Sequence, residues 1–313
     1  YYTTTFTPSG DFTYRAICVS DKSTENITIN NNFIGGSQTE SGGSAWIKTG
    51  GNTPFEGIYL LTGTNSKSNV YNNTIKNINW TNSSNESWRA IYVNSGLVDV
   101  GTLGGNVIGA TSGLESIIVS NGASGGYLHG ILIDSKEICT VSNNLLGAIK
   151  TITNNTAHSF HVIGIEKGNS AGDITISKNI IGSTITANSI SAASISSGNN
   201  QILIGINSNG LENNYISDNT VANITNYVTS SNVSTSYGIH TAEGNNSILN
   251  NVVSEITSAS AQTGVGSNAA ASGIAQKCSD GGATQIVKGN SVSNIRSTQS
   301  AAHVKIYGIF YQA

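Results

Sequence analysis

The sequence contains no methionine, 2 prolines and few charged side chains. Charged residues make up 10% of its 313 residues, the net charge is −3, and lysine and arginine form no cluster. A surface that binds nucleic acid needs a positive patch that displaces counterions from the phosphates. We therefore expect no nucleic-acid partner.

Long hydrophobic runs are also missing. No stretch approaches the roughly 20 apolar residues that a membrane-spanning helix requires, so we expect no insertion of this segment into a membrane. Isoleucine and valine nevertheless recur along the whole chain, whereas disordered chains are usually highly charged and poor in such residues. Together with 36 glycines and 40 asparagines, this composition indicates a folded chain without one compact core.

Two short motifs alternate along the chain, which is typical of a repeat protein. The first is a small residue followed by isoleucine, at Ala16-Ile17, Gly57-Ile58, Ala90-Ile91, Gly130-Ile131, Gly164-Ile165, Gly205-Ile206, Gly238-Ile239, Gly273-Ile274 and Gly308-Ile309. The second is an asparagine with an apolar residue two places later, at Asn32, Asn73, Asn106, Asn144, Asn179, Asn219, Asn251 and Asn290.

The spacing of the repeats locates their loops. Successive motif isoleucines are 41, 33, 40, 34, 41, 33, 35 and 35 residues apart. The extra residues of the long intervals always follow the asparagine motif and precede the next isoleucine. Length variation confined to one place indicates loops that leave a constant scaffold.

The segments around both motifs are short and β-branched, and they alternate between apolar and polar residues, as in Ile174-Thr175-Ile176. This pattern predicts strands, and so many glycines and asparagines would destabilise helices. We therefore predict an all-β fold for residues 1–313, a single-stranded, right-handed parallel β-helix of about nine coils. At a rise of ~4.8 Å per coil, this solenoid would be roughly 40 Å long.

Alignment of the coils predicts columns of side chains. Residues three places before each motif isoleucine should point inward with it, and they are Tyr14, Phe55, Trp88, Leu128, Val162, Leu203, Ser236, Ala271 and Ile306. Residues two places before should point outward as a ladder that begins with alternating charges, at Arg15, Glu56, Arg89 and His129. The small residue of the motif is expected at a corner, where a side chain would crowd the turn.

The asparagine column, Asn32 to Asn290, predicts a ladder of side-chain amides. Backbone groups lose their sheet partners at a bend between strands, and stacked amides can replace those partners coil after coil. The three cysteines, Cys18, Cys139 and Cys278, fall at least three coils apart. Stacking separates them by on the order of 14 Å, too far for a disulfide, and we expect three free, mostly buried thiols.

Both ends of the sequence interrupt the repeat, and neither carries a recognisable cap. Open sheet edges invite pairing with other chains. We therefore expect residues 1–313 to be one domain within a longer chain, continued at both ends by further coils or domains.

Gly-Ile strands that alternate with Asn-x-Ile turns resemble the parallel β-helix repeats of the pectate-lyase-like superfamily, and the resemblance covers nearly all 313 residues. The superfamily includes lyases, glycosidases, phage tailspikes, adhesins and spacers, so the resemblance implies a fold and no single function. The composition, rich in asparagine, serine and threonine, is most similar to that of large secreted surface proteins of bacteria.

Motifs for catalysis are scarce. The Gly-His-Gly and Arg-x-Lys motifs of polygalacturonase-like members are absent, and the 7 aspartates are scattered over different coils. The best candidate is the outward column just after the motif isoleucine, which carries Glu166, Asn207 and His240. Glu166 and His240 would lie roughly 10 Å apart, as a general acid and base across a sugar ring; alternatively, they are solvated polar residues.

The same column carries Tyr59 and Tyr92, which either stack on sugars or form a cross-strand pair that stabilises the sheet. His158 and His161 have a spacing that suits a metal ligand pair, but no cysteine, aspartate or glutamate stands beside them. Nothing else in the sequence indicates a metal site or a cofactor.

Three functions are compatible with these patterns. The leading hypothesis is a structural or adhesive stalk segment of a secreted or cell-surface bacterial protein, which presents a rigid face or loops to a surface or to glycans. The first alternative is a carbohydrate-active enzyme, either a polysaccharide lyase or a glycoside hydrolase. The second is a glycan-binding spike or filament subunit. The predicted location is extracellular or on the cell surface, and the candidate partner is a polysaccharide or a cell-surface glycan.

Overall fold

A computed structural model describes residues 12–122, 125–196, 200–228, 234–264, 268–278, 282–299 and 303–312. These residues form 30 strands, and a short 3-10 turn lies at Thr39–Ser41. The strands lie in three sheets in which every pairing between named strands is parallel. The chain therefore has the predicted all-β fold, a parallel β-helix.

The first sheet has nine strands, and each pairs with the strand of the next coil. They are β1 (Tyr14–Ser20), β5 (Phe55–Leu61), β9 (Trp88–Ser95), β13 (Gly126–Ile133), β17 (Phe160–Lys167), β21 (Gln201–Ser208), β24 (Ser234–Thr241), β27 (Ala271–Lys277) and β30 (Ile306–Gln312).

The second sheet has eight shorter strands in the same sequential order. They are β2 (Thr28–Asn30), β6 (Ser68–Tyr71), β10 (Val98–Val100), β14 (Cys139–Ser142), β18 (Ile174–Ser177), β22 (Asn213–Ser217), β25 (Asn245–Leu249) and β28 (Gln285–Lys288).

The third sheet is divided in the first coils and continuous in the last ones. One row contains β3 (Phe33–Ile34), β7 (Thr74–Ile75), β11 (Val107–Gly109), β15 (Leu145–Gly147) and β19 (Ile180–Gly182). A second row contains β4 (Trp46–Lys48), β8 (Ile78–Asn82), β12 (Ile117–Asn121), β16 (Ile149–Thr153) and β20 (Ile190–Ser194). Both rows pair with β23 (Thr220–Val228), which is followed by β26 (Val252–Ser258) and β29 (Ser291–Ser297).

The motif isoleucines define the register of the first sheet. Each lies directly opposite the isoleucine of the next coil, from Ile17 to Ile309. The seven between the two ends are fully buried in one continuous hydrophobic core. The predicted alignment of the repeats is thus confirmed.

The prediction that the small motif residue forms a corner is wrong, because it lies inside an unbroken strand. Gly57, for example, is the third residue of β5. A Cβ atom there would lie 2.6 Å from the carbonyl oxygen of Ala90 on the next coil and 3.1 Å from the side chain of Ile75. The position is small because the neighbouring backbone and the core come close, not because the chain turns.

The prediction for the loops is confirmed. In the long coils, residues 35–45, 110–116 and 183–189 separate the two strands of the third sheet. The short coils replace the loop by a tight corner, with a left-handed residue at Asn77 (φ 54°) or Ala148 (φ 53°). The protruding loops therefore alternate with closed corners along one edge.

Loops and corners are joined by hydrogen bonds between coils. Ser116, at the end of one loop, accepts a bond of 3.3 Å from the backbone N–H of Asn77 on the preceding coil. Ser189 accepts a bond of 3.0 Å from the N–H of Ala148 in the same way. Each loop thus satisfies a backbone donor that a left-handed corner leaves without a sheet partner.

The three cysteines, all within the described residues, form no disulfide. Cys139 and Cys278 are buried, whereas Cys18 is exposed at the first strand of its sheet.

Candidate functional site on the outer face of the first sheet

The predicted column after the motif isoleucine exists on the outer face of the first sheet. Glu166 on β17 lies opposite Asn207 on β21, and Asn207 lies opposite His240 on β24. Successive side chains of a strand point to opposite faces, and the adjacent isoleucines point into the core. Three coils therefore bring these three polar side chains side by side.

The three side chains form one hydrogen-bonded chain. Asn207 Nδ2 donates to Glu166 Oε1 at 2.8 Å, and His240 Nδ1 lies 2.8 Å from Asn207 Oδ1. Because the amide oxygen accepts, the proton of the imidazole lies on Nδ1. Asn209 Nδ2 adds a second bond to Glu166 Oε1, at 3.1 Å.

A fourth member of this chain was not predicted from sequence. His129 on β13 belongs to the column two places before the isoleucine, yet its Nε2 reaches Glu166 Oε2 at 2.7 Å. The signal was present, since both residues are polar and point outward on adjacent coils. The sequence did not show that a long side chain in one outward column can reach a residue in the neighbouring column.

In this series of hydrogen-bonded side chains, His240 is held neutral at one end and the Glu166 carboxylate is held in place at the other. Burial, with a smaller contribution from Lys277, lowers the pKa of His240 to about 4. Glu166 accepts from three donors, which holds its carboxylate in one place. Asn207 occupies the space between Glu166 and His240, so no sugar ring can lie directly between them. This geometry gives no support to an acid–base pair across a substrate.

The charge ladder is the corresponding feature of the first coils. The buried carboxylate of Glu56 accepts from Arg15 Nε at 2.6 Å and from Arg89 Nη1 at 3.0 Å. Each guanidinium also lies over a tyrosine ring, Arg15 over Tyr59 at 3.9 Å and Arg89 over Tyr92 at 4.7 Å. The predicted alternation of charge on adjacent coils is confirmed.

Tyr59 and Tyr92 form an edge-to-face pair, with ring centroids 5.5 Å apart. The side chain of Asn94 donates to the hydroxyl of Tyr59 at 2.8 Å, and the hydroxyl of Tyr92 donates to Asp134 Oδ2 at 3.0 Å. Burial raises the pKa of Tyr92. Since Tyr59 is only 7% exposed, these rings match the cross-strand interpretation better than a platform for sugars.

Beside the Glu166–Asn207–His240 cluster, on the same strands, the outer face carries a buried apolar patch that the sequence reasoning missed. It contains Ile163, Ile204, Tyr237 and Ala275, with Ile202 and Phe310 packed against it. The first three continue the column that begins with the alternating charges. The outer face thus changes from charged to apolar along one column.

One aromatic residue of this face remains open to solvent. Tyr127 on β13 is 45% exposed; its ring stacks on His129, with centroids 5.6 Å apart, and contacts the tilted ring of His161, with centroids 4.9 Å apart. Beside it lies a groove with a volume of about 410 Å³, which Ser159 and Ile202 also line. Sequence reasoning had considered His161 only as a metal ligand.

The asparagine column stands at the bend between the second and third sheets. From Asn32 to Asn251, each side-chain Nδ2 donates to Oδ1 of the next asparagine at 2.8 to 3.0 Å. The same Oδ1 accepts the backbone N–H of the preceding asparagine. Six of the eight residues are buried, so these bonds satisfy backbone groups that water cannot reach.

No group of three or more histidine, cysteine, aspartate or glutamate residues is arranged to hold a metal ion in the described part of the chain. His161 already uses Nδ1 to accept the backbone N–H of Ile202 at 3.1 Å. The same part of the chain contains no helix with the length and apolarity that crossing a membrane requires.

Comparison of the chain with models of protein families, with curated proteins and with solved structures finds no match in any of the three.

Proposed function

We propose that the chain is a rigid structural or adhesive segment of a secreted or cell-surface bacterial protein. The observation that carries this proposal is the unbroken stacking of the first sheet from β1 to β30, with every motif isoleucine opposite the next. The location outside the cell and the adhesive role follow the resemblance of the repeats to the pectate-lyase-like superfamily, which includes adhesins and spacers.

Rigidity follows from the number of links between coils. Adjacent coils are joined through the three sheets and through the asparagine column. Nine strands at ~4.8 Å span about 38 Å. Bending such a rod would break hydrogen bonds in several sheets at once, which suits a segment that holds a binding region away from a surface.

The outer face of the first sheet supports the adhesive role. Its side chains are fixed before any partner arrives, through the pairs Arg15–Glu56 and His129–Glu166 and through the Tyr59–Tyr92 contact. A preorganised surface loses little conformational entropy on binding. Glycans are the proposed partner, since an exposed aromatic ring stands in a groove of this face.

The mechanical part of the proposal is tested by pulling on the chain between two marker domains in a single-molecule force experiment. We expect the solenoid to resist extension and then to lose whole coils together, with length increments of about one coil or multiples of it. Asn144→Ala should lower the unfolding force, because it interrupts the amide column in its middle. Smooth extension without any force peak would contradict a rod that resists force.

A carbohydrate-active enzyme is the less supported alternative. It would need Glu166 to exchange a proton with a substrate, but both carboxylate oxygens already accept hydrogen bonds. Assays for new reducing ends and for unsaturated products on acidic polysaccharides test this alternative. Activity that disappears in Glu166→Gln would favour the enzyme over the rod.

A further inference from the structure

We propose that the groove beside Tyr127 binds one neutral hexose ring, whose apolar face stacks on the tyrosine. The inference deepens the proposed adhesive function and rests on it, since it names the class of glycan and the place where it is held. The groove lies on the outer face of the first sheet, where β13 and β17 begin.

The ring of Tyr127 is a fixed platform. It is 45% exposed, while His129 two residues further along the same strand is buried. The tyrosine ring is nearly parallel to the His129 ring, with an interplanar angle of 11°, and it also contacts His161. Two aromatic neighbours leave the ring little freedom to move, so stacking a sugar on it costs little side-chain entropy.

The groove supplies a hydrogen-bond donor without a positive charge. His161 Nδ1 accepts the backbone N–H of Ile202, so the proton of the neutral ring is on Nε2. Burial, and to a smaller extent His129, lowers the pKa of His161. The imidazole is therefore neutral at pH 7 and presents Nε2–H as a donor.

The groove also supplies an acceptor. The Asn200 side chain lines it, and its Oδ1 atom is buried with no hydrogen-bond partner among the described residues. A buried amide oxygen without a partner is unfavourable by itself. Since Oδ1 is closed to solvent, a sugar hydroxyl reaches it only after the amide rotates towards the groove, and the new hydrogen bond would then remove that cost.

Shape and charge select the class of ligand. Gly125 and Gly126 line the groove next to the tyrosine, so the wall there consists of backbone. The volume of about 410 Å³ lies within the range of small-molecule sites. No lysine, arginine, aspartate or glutamate is among the described residues that line the groove, so none of them would compensate the charge of an acidic sugar. A neutral ring fits best.

The test is an NMR titration of the folded chain with methyl glucoside, methyl galactoside and methyl galacturonate. We expect at least one neutral glycoside to bind, with shifts centred on Tyr127 and His161. Tyr127→Ala should weaken binding about tenfold, because the stacking contact is lost, whereas Tyr127→Phe should keep most of the affinity. Tyr215→Ala is the matched control, since Tyr215 is equally exposed, at 45%, on the second sheet.

Three outcomes would overturn the inference: no neutral glycoside binds, Tyr127→Ala binds as well as the parent chain, or the acidic glycoside binds best. A circular dichroism spectrum of each variant verifies that the solenoid is intact. A negative result in the NMR titration would not change the result of the force experiment. The two experiments therefore distinguish a chain without a sugar site from a chain that is not a rigid rod.

Discussion

The first and last coils share one backbone path but fill it with different chemistry. At the position three places before the motif isoleucine, Phe55 and Trp88 in the first coils correspond to Ser236 and Ala271 in the last coils. All four are fully buried. The same position of the tube therefore accepts an indole, a hydroxyl or a methyl group.

The first coils are filled by aromatic rings. Phe55 stacks on Trp88 at 5.0 Å and touches Trp80 at 4.9 Å, and Tyr14 and Trp46 extend the cluster. Burial of such large side chains is the main favourable contribution to folding in this region.

The last coils keep the aliphatic core and add buried hydrogen bonds between polar side chains. Gln201 Nε2 donates to Asn226 Oδ1 at 2.7 Å, the hydroxyls of Ser234 and Ser258 lie 3.0 Å apart, and Asn246 donates to a glutamine of the next coil at 2.9 Å. Such bonds contribute little net stability, but leaving one group without its partner is costly.

The comparison distinguishes the residues that determine the backbone path of each coil from the residues that fill its interior. The motif isoleucines and the asparagine column run through both regions without interruption. The other interior positions vary. We infer that the columns common to all coils determine the backbone path, and that the remaining interior positions only need to be compatible with it.

The largest expected difference between the regions concerns corresponding core positions. Trp88→Ala should lower the free energy of unfolding by about 3–5 kcal/mol, because it leaves a cavity in the aromatic cluster. Ser236→Ala should cost about 1 kcal/mol, since it removes one hydrogen bond of 3.2 Å to the carbonyl oxygen of Thr257. Urea titration of both variants measures the difference. Trp88→Phe, which keeps a ring against Phe55, is the control, and equal losses for the two alanine variants would refute distinct cores.

The asparagine column should be equally important in both regions. Asn106→Ala and Asn219→Ala each remove donors to one backbone carbonyl and to the next amide, and each removes the acceptor of the preceding backbone N–H. Leaving such buried groups unpaired should cost about 2–4 kcal/mol in either variant. Urea titration checks the equality. A much smaller loss in one region would show that the column supports only part of the rod.

The smallest of the three differences between the regions is a pH dependence to which His240 contributes in the last coils. The pKa of His240 is about 4 in the folded chain, against an ordinary value of ~6.5 in the unfolded chain. As the pH falls below ~6.5, the unfolded chain takes up the proton first, so stability decreases towards pH 4. Between pH 7 and 5 the loss should be about 2 kcal/mol.

His240→Gln should remove this part of the pH dependence and keep a donor for Asn207 Oδ1. Urea titrations of both proteins at pH 7, 6 and 5 compare the slopes. If the parent chain and His240→Gln lose the same stability, the imidazole is not the group responsible.

The fold was more predictable than the site. The register of the isoleucines and the place of the loops follow from spacing, because every coil repeats the same information. The corner at Gly57 was wrong, since a small residue marks a close approach as well as a turn, and the sequence does not distinguish the two. The burial of Lys48 and Lys167 was not predicted either. Each of their ammonium groups donates to three acceptors in the interior.

The site depends on contacts that cross from one column to another. The bond between His129 and Glu166 joins two columns, and the groove joins Tyr127 to Asn200, two coils further along the chain. Such contacts depend on rotamers and on the stagger of neighbouring strands, and a repeat pattern contains no information about either.

By itself, the sequence determined that this chain is a stack of parallel coils with an amide column and an aliphatic interior, because periodic side chains can be buried together only if each coil lies on the next. The tertiary structure decided which outward side chains are shielded and which stay open. Burial and hydrogen-bond partners depend on distances between coils and loops, and those distances exist only once the chain has folded.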